Sequence, residues 1–320
     1  YTPLHGSGNR YVRRALEEAG FSNVLIVPEQ EAPDGDFPTV QSPNPESRDA
    51  LTLAIELSRE AGADIVLGTD PDCDRVGAAV RHGGEYRLIT GNQMGALLVD
   101  YLLRQSREIP ENGAVVKTIV TSDLGVQIAC DAGLFAYETL TGFKFIGERI
   151  GQFERTGRHT FFFGYEESYG YLRGTHARDK DAVVASLLVC EMAALYKKEG
   201  LTLVDRLNAL FSRYGFYADS LDVLYADSPA RAKAWMRAFR EAGPDLFFPP
   251  AEMRDYLRGR DGLPPSDVIK FFLQDGSWVA VRPSGTEPEV KVYYGVRGRS
   301  EREAQASLDV LRRAIRRIAL

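Results

Sequence analysis

Short apolar runs and amphipathic stretches alternate through the first two thirds of the chain. The runs Val24-Leu25-Ile26-Val27 and Ile65-Val66-Leu67 predict buried strands. Residues 78–80 and 86–89 flank His82-Gly83-Gly84 and predict a hairpin. Helical spacing predicts helices over 10–19, closed by Gly20, and over 91–105. Asn44-Pro45-Glu46 reads as an N-cap, a proline at the first helical position and an acidic first turn, opening a helix that runs to Ala61 and stops at Gly62. Residues 28–45, rich in Pro, Asp and Gly, predict a surface loop. The same alternation resumes after a polar break at 106–113. Strands are predicted over 115–120, 136–140 and 159–165. Helices are predicted from Ser122-Asp123 to 132, over 143–155, from Asp179 to 196, and over 203–213.

Beyond about 217 the texture becomes antiparallel. A strand over 222–225 and a helix over 229–242 precede a loop-rich stretch, 243–265. Strands 268–273 and 277–281 flank an Asp-Gly turn. Strand 290–294 and a closing amphipathic helix over 300–318 follow. The predicted fold class is α/β: two successive α/β sheet domains, 1–112 and 113–216, then a smaller α+β C-terminal domain, 217–320. In open α/β sheets ligands gather at the carboxyl ends of strands, so the loops after strands carry the candidate chemistry.

Composition narrows the function classes. A length of 320 residues suits two or three domains. A net charge of −6 argues against nucleic-acid binding but permits a local basic pocket for a small anion. Three scattered cysteines, an odd number, suit a reducing compartment and a cytoplasmic location. No apolar run approaches the roughly 18 residues that cross a membrane. Thr2-Pro3-Leu4-His5-Gly6 already reads as folded sequence, which predicts a processed or cut N-terminus before Tyr1.

Three loops stand out. Gly68-Thr69-Asp70-Pro71-Asp72-Cys73-Asp74-Arg75 sets three aspartates at alternate positions after an apolar strand. In an extended backbone Asp70, Asp72 and Asp74 point one way. Three clustered carboxylates need a cation among them, and hard oxygen ligands favour Mg²⁺ or Mn²⁺. A calcium EF-hand loop fails here, because Arg75 would stand at its glycine position and Arg81 at its glutamate position. The second loop follows a Phe-rich strand, where Glu166, Glu167 and Ser168 suit sugar hydroxyls or make an ordinary polar loop. The third is Arg282-Pro283-Ser284-Gly285-Thr286-Glu287-Pro288. It has the hydroxyls, the glycine and the arginine of an oxyanion cradle, or is a turn between strands. Lys180, in Arg178-Asp179-Lys180-Asp181, reads as a phosphate partner, a proton donor or part of a capped helix start. His5, His176 and Ser7 read as structural residues. Together the loops suggest a phosphorylated sugar and a divalent cation assisting phosphoryl transfer.

On these motifs the chain resembles the α-D-phosphohexomutase superfamily, the phosphoglucomutases and phosphomannomutases, over its second, third and fourth domains. The resemblance extends to Tyr1-Thr2-Pro3-Leu4-His5-Gly6 at the start, and in style it is nearest to bacterial phosphoglucomutases. It implies that Asp70, Asp72 and Asp74 bind Mg²⁺ and that Arg75 steadies the reacting phosphoserine region. It implies that Glu166 and Ser168 read sugar hydroxyls, and that Arg282, Ser284, Gly285 and Thr286 hold the non-reacting phosphate. Lys144 and Lys180 are candidates for phosphate contact or proton traffic. The resemblance also implies a partner, an N-terminal domain of the same protein whose loop carries the phosphorylated serine. No Thr-Ala-Ser-His-Asn-Pro type loop occurs in these 320 residues. The expected activity of the intact protein is interconversion of glucose 1-phosphate and glucose 6-phosphate through a hexose bisphosphate, with this chain inactive alone. Phosphomannomutase, phosphopentomutase and a non-catalytic phosphosugar-binding protein are the alternatives. Tyr169-Gly170-Tyr171, where a Gly-His pair is common in the phosphomannomutase branch, favours glucose.

Overall fold

The structure is a computed structural model that describes every residue except Thr286 and Leu320, with the Ala319 side chain also left aside. The chain divides into two compact units, Tyr1–Ala209 and Leu210–Leu320. Among the described residues the mixed α/β class holds, with one sheet of three strands, one of four and one of five.

The first unit opens with α1 (Asn9–Glu18), α2 (Pro28–Glu31) and α3 (Thr52–Ala61), then β1 (Ile65–Thr69), β2 (Val76–His82), β3 (Glu85–Ile89) and α4 (Gly91–Gln105). β1, β2 and β3 form an antiparallel meander. The link from Thr69 to Val76 is too short for a parallel crossover, which takes a dozen or more residues. Here the expected open α/β sheet is therefore locally antiparallel. The predicted strand at Val24-Leu25-Ile26-Val27 does not form as one. Its backbone instead brackets Tyr1, whose N–H₃⁺ donates to Leu25 O (2.7 Å) and whose carbonyl accepts from Val27 N (3.1 Å). On the other side Thr2 bonds Leu67 and Thr69 of β1. This ladder is only two residues deep, too short to set a strand on either flank. Asn44 caps a turn through Glu46 N, and the helix expected there begins only at Thr52.

The second sheet comprises β4 (Gly113–Thr118), β5 (Phe135–Thr139), β6 (Thr160–Tyr165) and β7 (Tyr171–Leu172), in the order β5-β4-β6-β7. β4 is parallel to β5 and to β6, as its helical crossovers α5 (Leu124–Asp131) and α6 (Phe143–Thr156) require. α6 buries Phe143, Ile146, Gly147, Ile150 and Phe153 on one stripe. Each such large side chain removed from water is worth about 1.5–3 kcal/mol. α7 (Ala182–Lys198) and α8 (Leu203–Tyr214) follow, and the division between the two units falls inside α8. Asp181, not Asp179, caps α7, accepting from Val183 N and Val184 N. No described helix is long and apolar enough to cross a membrane.

In the second unit β8 (Phe216–Tyr225), β9 (Glu252–Asp255), β10 (Ile269–Phe272), β11 (Trp278–Pro283) and β12 (Glu289–Gly298) form an antiparallel sheet in the order β8-β12-β11-β10-β9. α9 (Pro229–Ala242) and α10 (Glu301–Ala319) bury Phe239, Leu308 and Ile315 with Val279, Val281 and Val292. β9 lies inside the stretch expected to be loop, and β8 starts well before the predicted 222.

Candidate functional site

The aspartate loop connects β1 to β2. Asp70, Asp72 and Asp74 each bring a carboxylate oxygen within 4.8 Å of the other two. They converge by a turn and not by strand alternation. Cys73 takes φ 59°, and its N–H donates to Asp70 O (3.0 Å). Asp70 Oδ1 accepts from Asp74 N (3.0 Å) and Arg75 N (2.9 Å), closing the turn on its own side chain. Burial, reinforced by Asp74 and Asp72, pushes the Asp70 carboxyl up to about 7 against the pull of the Arg75 N–H. Asp74 Oδ1 is buried without a hydrogen-bond partner, and Arg75 Nε stands 3.7 Å from it. A cluster of hard oxygens with one orphaned lone-pair site fits an octahedral oxygen-loving cation.

Cations of the protein already balance part of this charge. Arg75 reaches Glu46 (3.6 Å), Asp70 (3.7 Å) and Asp74 (3.7 Å). Lys180 Nζ lies 2.8 Å from Asp74 Oδ2 and 2.9 Å from Asp179. Burial opposes the Lys180 charge, but its hydrogen bonds to Asp74 and Asp179 outweigh that and hold its pKa above the ordinary value. Sequence spacing gave no sign of the Lys180–Asp74 pair, which joins residues from the ends of two different sheets.

The second loop, between β6 and β7, is stitched to the first by main-chain bonds. Val76 N donates to Tyr169 O (3.1 Å) and Arg75 bridges Gly170, while Ala182 N, at the start of α7, donates to Cys73 O (3.3 Å). Glu166 is buried, and its Oε1 accepts from Gly142 N (2.9 Å) at the start of α6. Burial, then the neighbouring Glu167, pushes Glu166 up to about 7, with the Gly142 N–H pulling the other way. Ser168 is half-buried and makes no hydrogen bond among the described residues. Glu167 is turned inward, its Oε2 accepting from Thr121 (2.9 Å) and Thr118 (3.2 Å). The residue overlooked from sequence is Lys117. It is fully buried at the end of β4, bonded to Glu138 (2.7 Å), Asp123 (3.0 Å) and Thr121 O (3.0 Å). A lysine inside the apolar run Val115-Val116-Lys117 was its signal. Lys144 is exposed, with Nζ over the Phe145 ring at 5.0 Å, and its only described contact is that ring.

In the second unit Arg282 stands next to last in β11, half-buried, with no ion pair among the described residues. Ser284 N donates to Glu289 O (2.9 Å), and Ser284 Oγ accepts from Glu287 N (3.3 Å). Gly285 is exposed, with open space where a side chain would begin. The expectation at Thr286 lies outside the described residues.

Three family models match in succession: "Phosphoglucomutase/phosphomannomutase, alpha/beta/alpha domain II" over residues 1–84, domain III over 90–214, and the C-terminal domain over 225–312. The phosphoglucomutase of Staphylococcus haemolyticus is 34% identical over 310 residues, covering 92% of this chain and 56% of that protein. The human glucose 1,6-bisphosphate synthase is also 34% identical, over 92% of this chain and 51% of that one. The chain thus spans about half the length of these curated relatives. Among solved structures, the open form of parafusin from Paramecium, described as a phosphoglucomutase, has a TM-score of 0.75 at 19% identity. The match covers 99% of this chain and 57% of that one, and it is a likeness of fold.

Proposed function

The chain belongs to the phosphoglucomutase/phosphomannomutase family, and we propose that it supplies the metal-, sugar- and phosphate-binding parts of a phosphoglucomutase. The intact enzyme interconverts glucose 1-phosphate and glucose 6-phosphate with Mg²⁺, through a phosphoserine and a hexose bisphosphate. The observation that carries this reading is the convergence of Asp70, Asp72 and Asp74 beside Lys180, on a loop bonded through its main chain to the Glu166–Glu167–Ser168 loop. Asp70, Asp72 and Asp74 hold Mg²⁺, which offsets negative charge on a transferring phosphoryl group. Arg75 fixes the loop's shape by bridging Glu46 to Asp70 and Asp74. Lys180 keeps its proton on Nζ against Asp74 and Asp179, so it presents positive charge to a phosphoryl oxygen. Glu166, poised near neutrality, accepts a hydrogen bond from a sugar hydroxyl, and the unpartnered Ser168 reads a second one. Glu167 anchors the loop from beneath. Arg282, Ser284, Gly285 and Thr286 grip a sugar phosphate, the arginine bidentately.

The phosphorylated serine belongs to a domain outside residues 1–320. The chain alone therefore binds phosphosugar and metal, the metal weakly because the phosphoserine oxygen is lacking, and turns nothing over. The test is a coupled assay for glucose 6-phosphate production from glucose 1-phosphate. Residues 1–320 alone are expected to be silent, and the longest reading frame containing them to be active. Robust turnover by 1–320 would sink the inactivity claim, and silence of both with intact glucose 6-phosphate binding would favour a binding protein. Steady-state rates of the longer protein on mannose and pentose phosphates separate the remaining specificities. A glucose 1,6-bisphosphate synthase, named by a relative at 34% identity, would instead accumulate bisphosphate from glucose 1-phosphate once a separate phosphoryl donor is added, the donor losing the phosphoryl group that the sugar gains.

A further inference from the structure

The opening turn of the chain lies directly against the aspartate loop. Leu4 and His5 take φ 46° and 58°, two consecutive non-glycine residues in the left-handed region. Such conformations cost energy and persist only where the surroundings over-determine them. Here His5 is buried, with Nε2 at 2.8 Å from Thr39 Oγ1 and Nδ1 at 3.3 Å from Ala32 O. Leu4 N donates to Thr2 Oγ1 (3.0 Å). The strained pair delivers Gly6, Ser7 and Gly8 to the metal loop. Ser7 N and Ser7 Oγ both donate to Pro71 O, at 2.8 and 3.0 Å. A Cβ on Gly6 would lie 2.3 Å from Pro71 Cα and 2.6 Å from Pro71 O, main-chain atoms that cannot swing aside. A Cβ on Gly8 would lie 2.7–2.8 Å from Tyr1 OH, Cys73 Sγ and Thr69 Oγ1. The left-handed Cys73 between Asp72 and Asp74 therefore rests on Gly8, and Pro71 between Asp70 and Asp72 rests on Gly6.

We infer that Gly6, Ser7 and Gly8 are positioning residues that form a seat for the 70–74 loop and set the spacing of its three carboxylates for the metal. The inference rests on the metal role assigned above to Asp70, Asp72 and Asp74. The two spacer residues of the Asp-x-Asp-x-Asp pattern are clamped from below, so the aspartates between them have little freedom to spread. A metal site loses affinity when its ligands drift by fractions of an ångström.

The experiment titrates residues 1–320 with Mn²⁺, following the free aqua ion by electron paramagnetic resonance, with thermal melting of every variant in parallel. Asp72→Asn is expected to remove the site. Gly6→Ala is expected to raise the Mn²⁺ Kd about tenfold or more. Ser7→Ala, which deletes one hydrogen bond at an exposed position, is expected to raise it roughly threefold, and Ser7→Thr to restore it. Gly259→Ala, crowded against Leu263 O in the second unit, is the comparison that loses stability while keeping wild-type Mn²⁺ affinity. Should Gly6→Ala fail to fold, the Ser7 pair decides. Wild-type affinity in both Gly6→Ala and Ser7→Ala, with Asp72→Asn defective, overturns the seat alone. Mn²⁺ binding indifferent to Asp72→Asn overturns the metal reading and the seat with it.

Discussion

Two polar turns of this chain join antiparallel strands and are offered the same task, holding charge, yet they are built in opposite ways. The 70–74 loop is crowded. It is bonded to the chain's opening turn, to the 166–170 loop and to Lys180, and neighbouring glycines have no room for a side chain. After β11 the packing is looser, with Arg282 free of ion pairs among the described residues and empty space around Gly285. A loop that must hold several like charges together needs fixed geometry, because Coulomb repulsion spreads any carboxylates not held in place. A loop that grips an oxyanion with an arginine and main-chain N–H groups gains its order from the anion itself.

Four expected outcomes would break or sharpen this contrast. Gly77, just after the aspartate loop, would set a Cβ 2.1 Å from Pro45 O. Gly77→Ala should cost about 3 kcal/mol, the upper end of overpacking, in urea denaturation. A loss too small to measure would show the crowding to be soft. Next comes Glu166→Gln. Burial raises the Glu166 pKa from 4.5 to about 7, so the folded state holds the proton more tightly than the unfolded one. Its ionisation therefore has no stability cost below about pH 4, and a growing cost as pH rises toward about 7 that then stays level. The ceiling is about 3 kcal/mol, at about 1.4 kcal/mol per unit. Glu166→Gln should raise the melting temperature at about pH 8 and leave it unchanged near pH 4. The reverse order would contradict the burial argument.

On the open side the expected effects move from stability to binding. Arg282→Ala should weaken glucose 6-phosphate binding by roughly tenfold or more, the worth of a charged hydrogen-bond pair, as calorimetry would measure. Its melting curve should be unaltered. Smallest of all, Gly285→Ala should change stability by less than about 0.5 kcal/mol. A large loss there would mean the turn is as constrained as the aspartate loop.

The candidate loops were legible because their chemistry is written in consecutive residues: three aspartates in five positions, Glu-Glu-Ser after a strand, Arg-Pro-Ser-Gly-Thr before one. The geometry that gathers the aspartates was not. Strand alternation predicts their common direction, whereas the chain achieves it with a turn around a left-handed Cys73. The helices with strong apolar stripes, such as α6 and α10, were plain from periodicity. The Val24-Leu25-Ile26-Val27 run satisfies every local criterion for a strand, but its backbone partner is Tyr1 alone, while Thr2 turns to β1. β9 was hidden because its pairing with β10 is non-local and its four residues, Glu-Met-Arg-Asp, carry no apolar alternation. The Lys180–Asp74 and Thr121–Glu167 contacts join residues far apart in sequence, and no spacing rule reaches them.

The bonds that tie the aspartate loop to the 166–170 loop, Val76 N to Tyr169 O and the bridge between Arg75 and Gly170, run from main chain to main chain. Such bonds are indifferent to side-chain identity. Residues of the 166–170 loop can therefore be exchanged in the course of evolution while the shape of the aspartate loop is inherited unchanged. A scaffold joined in this way can change what one loop recognises without having to rebuild its neighbour.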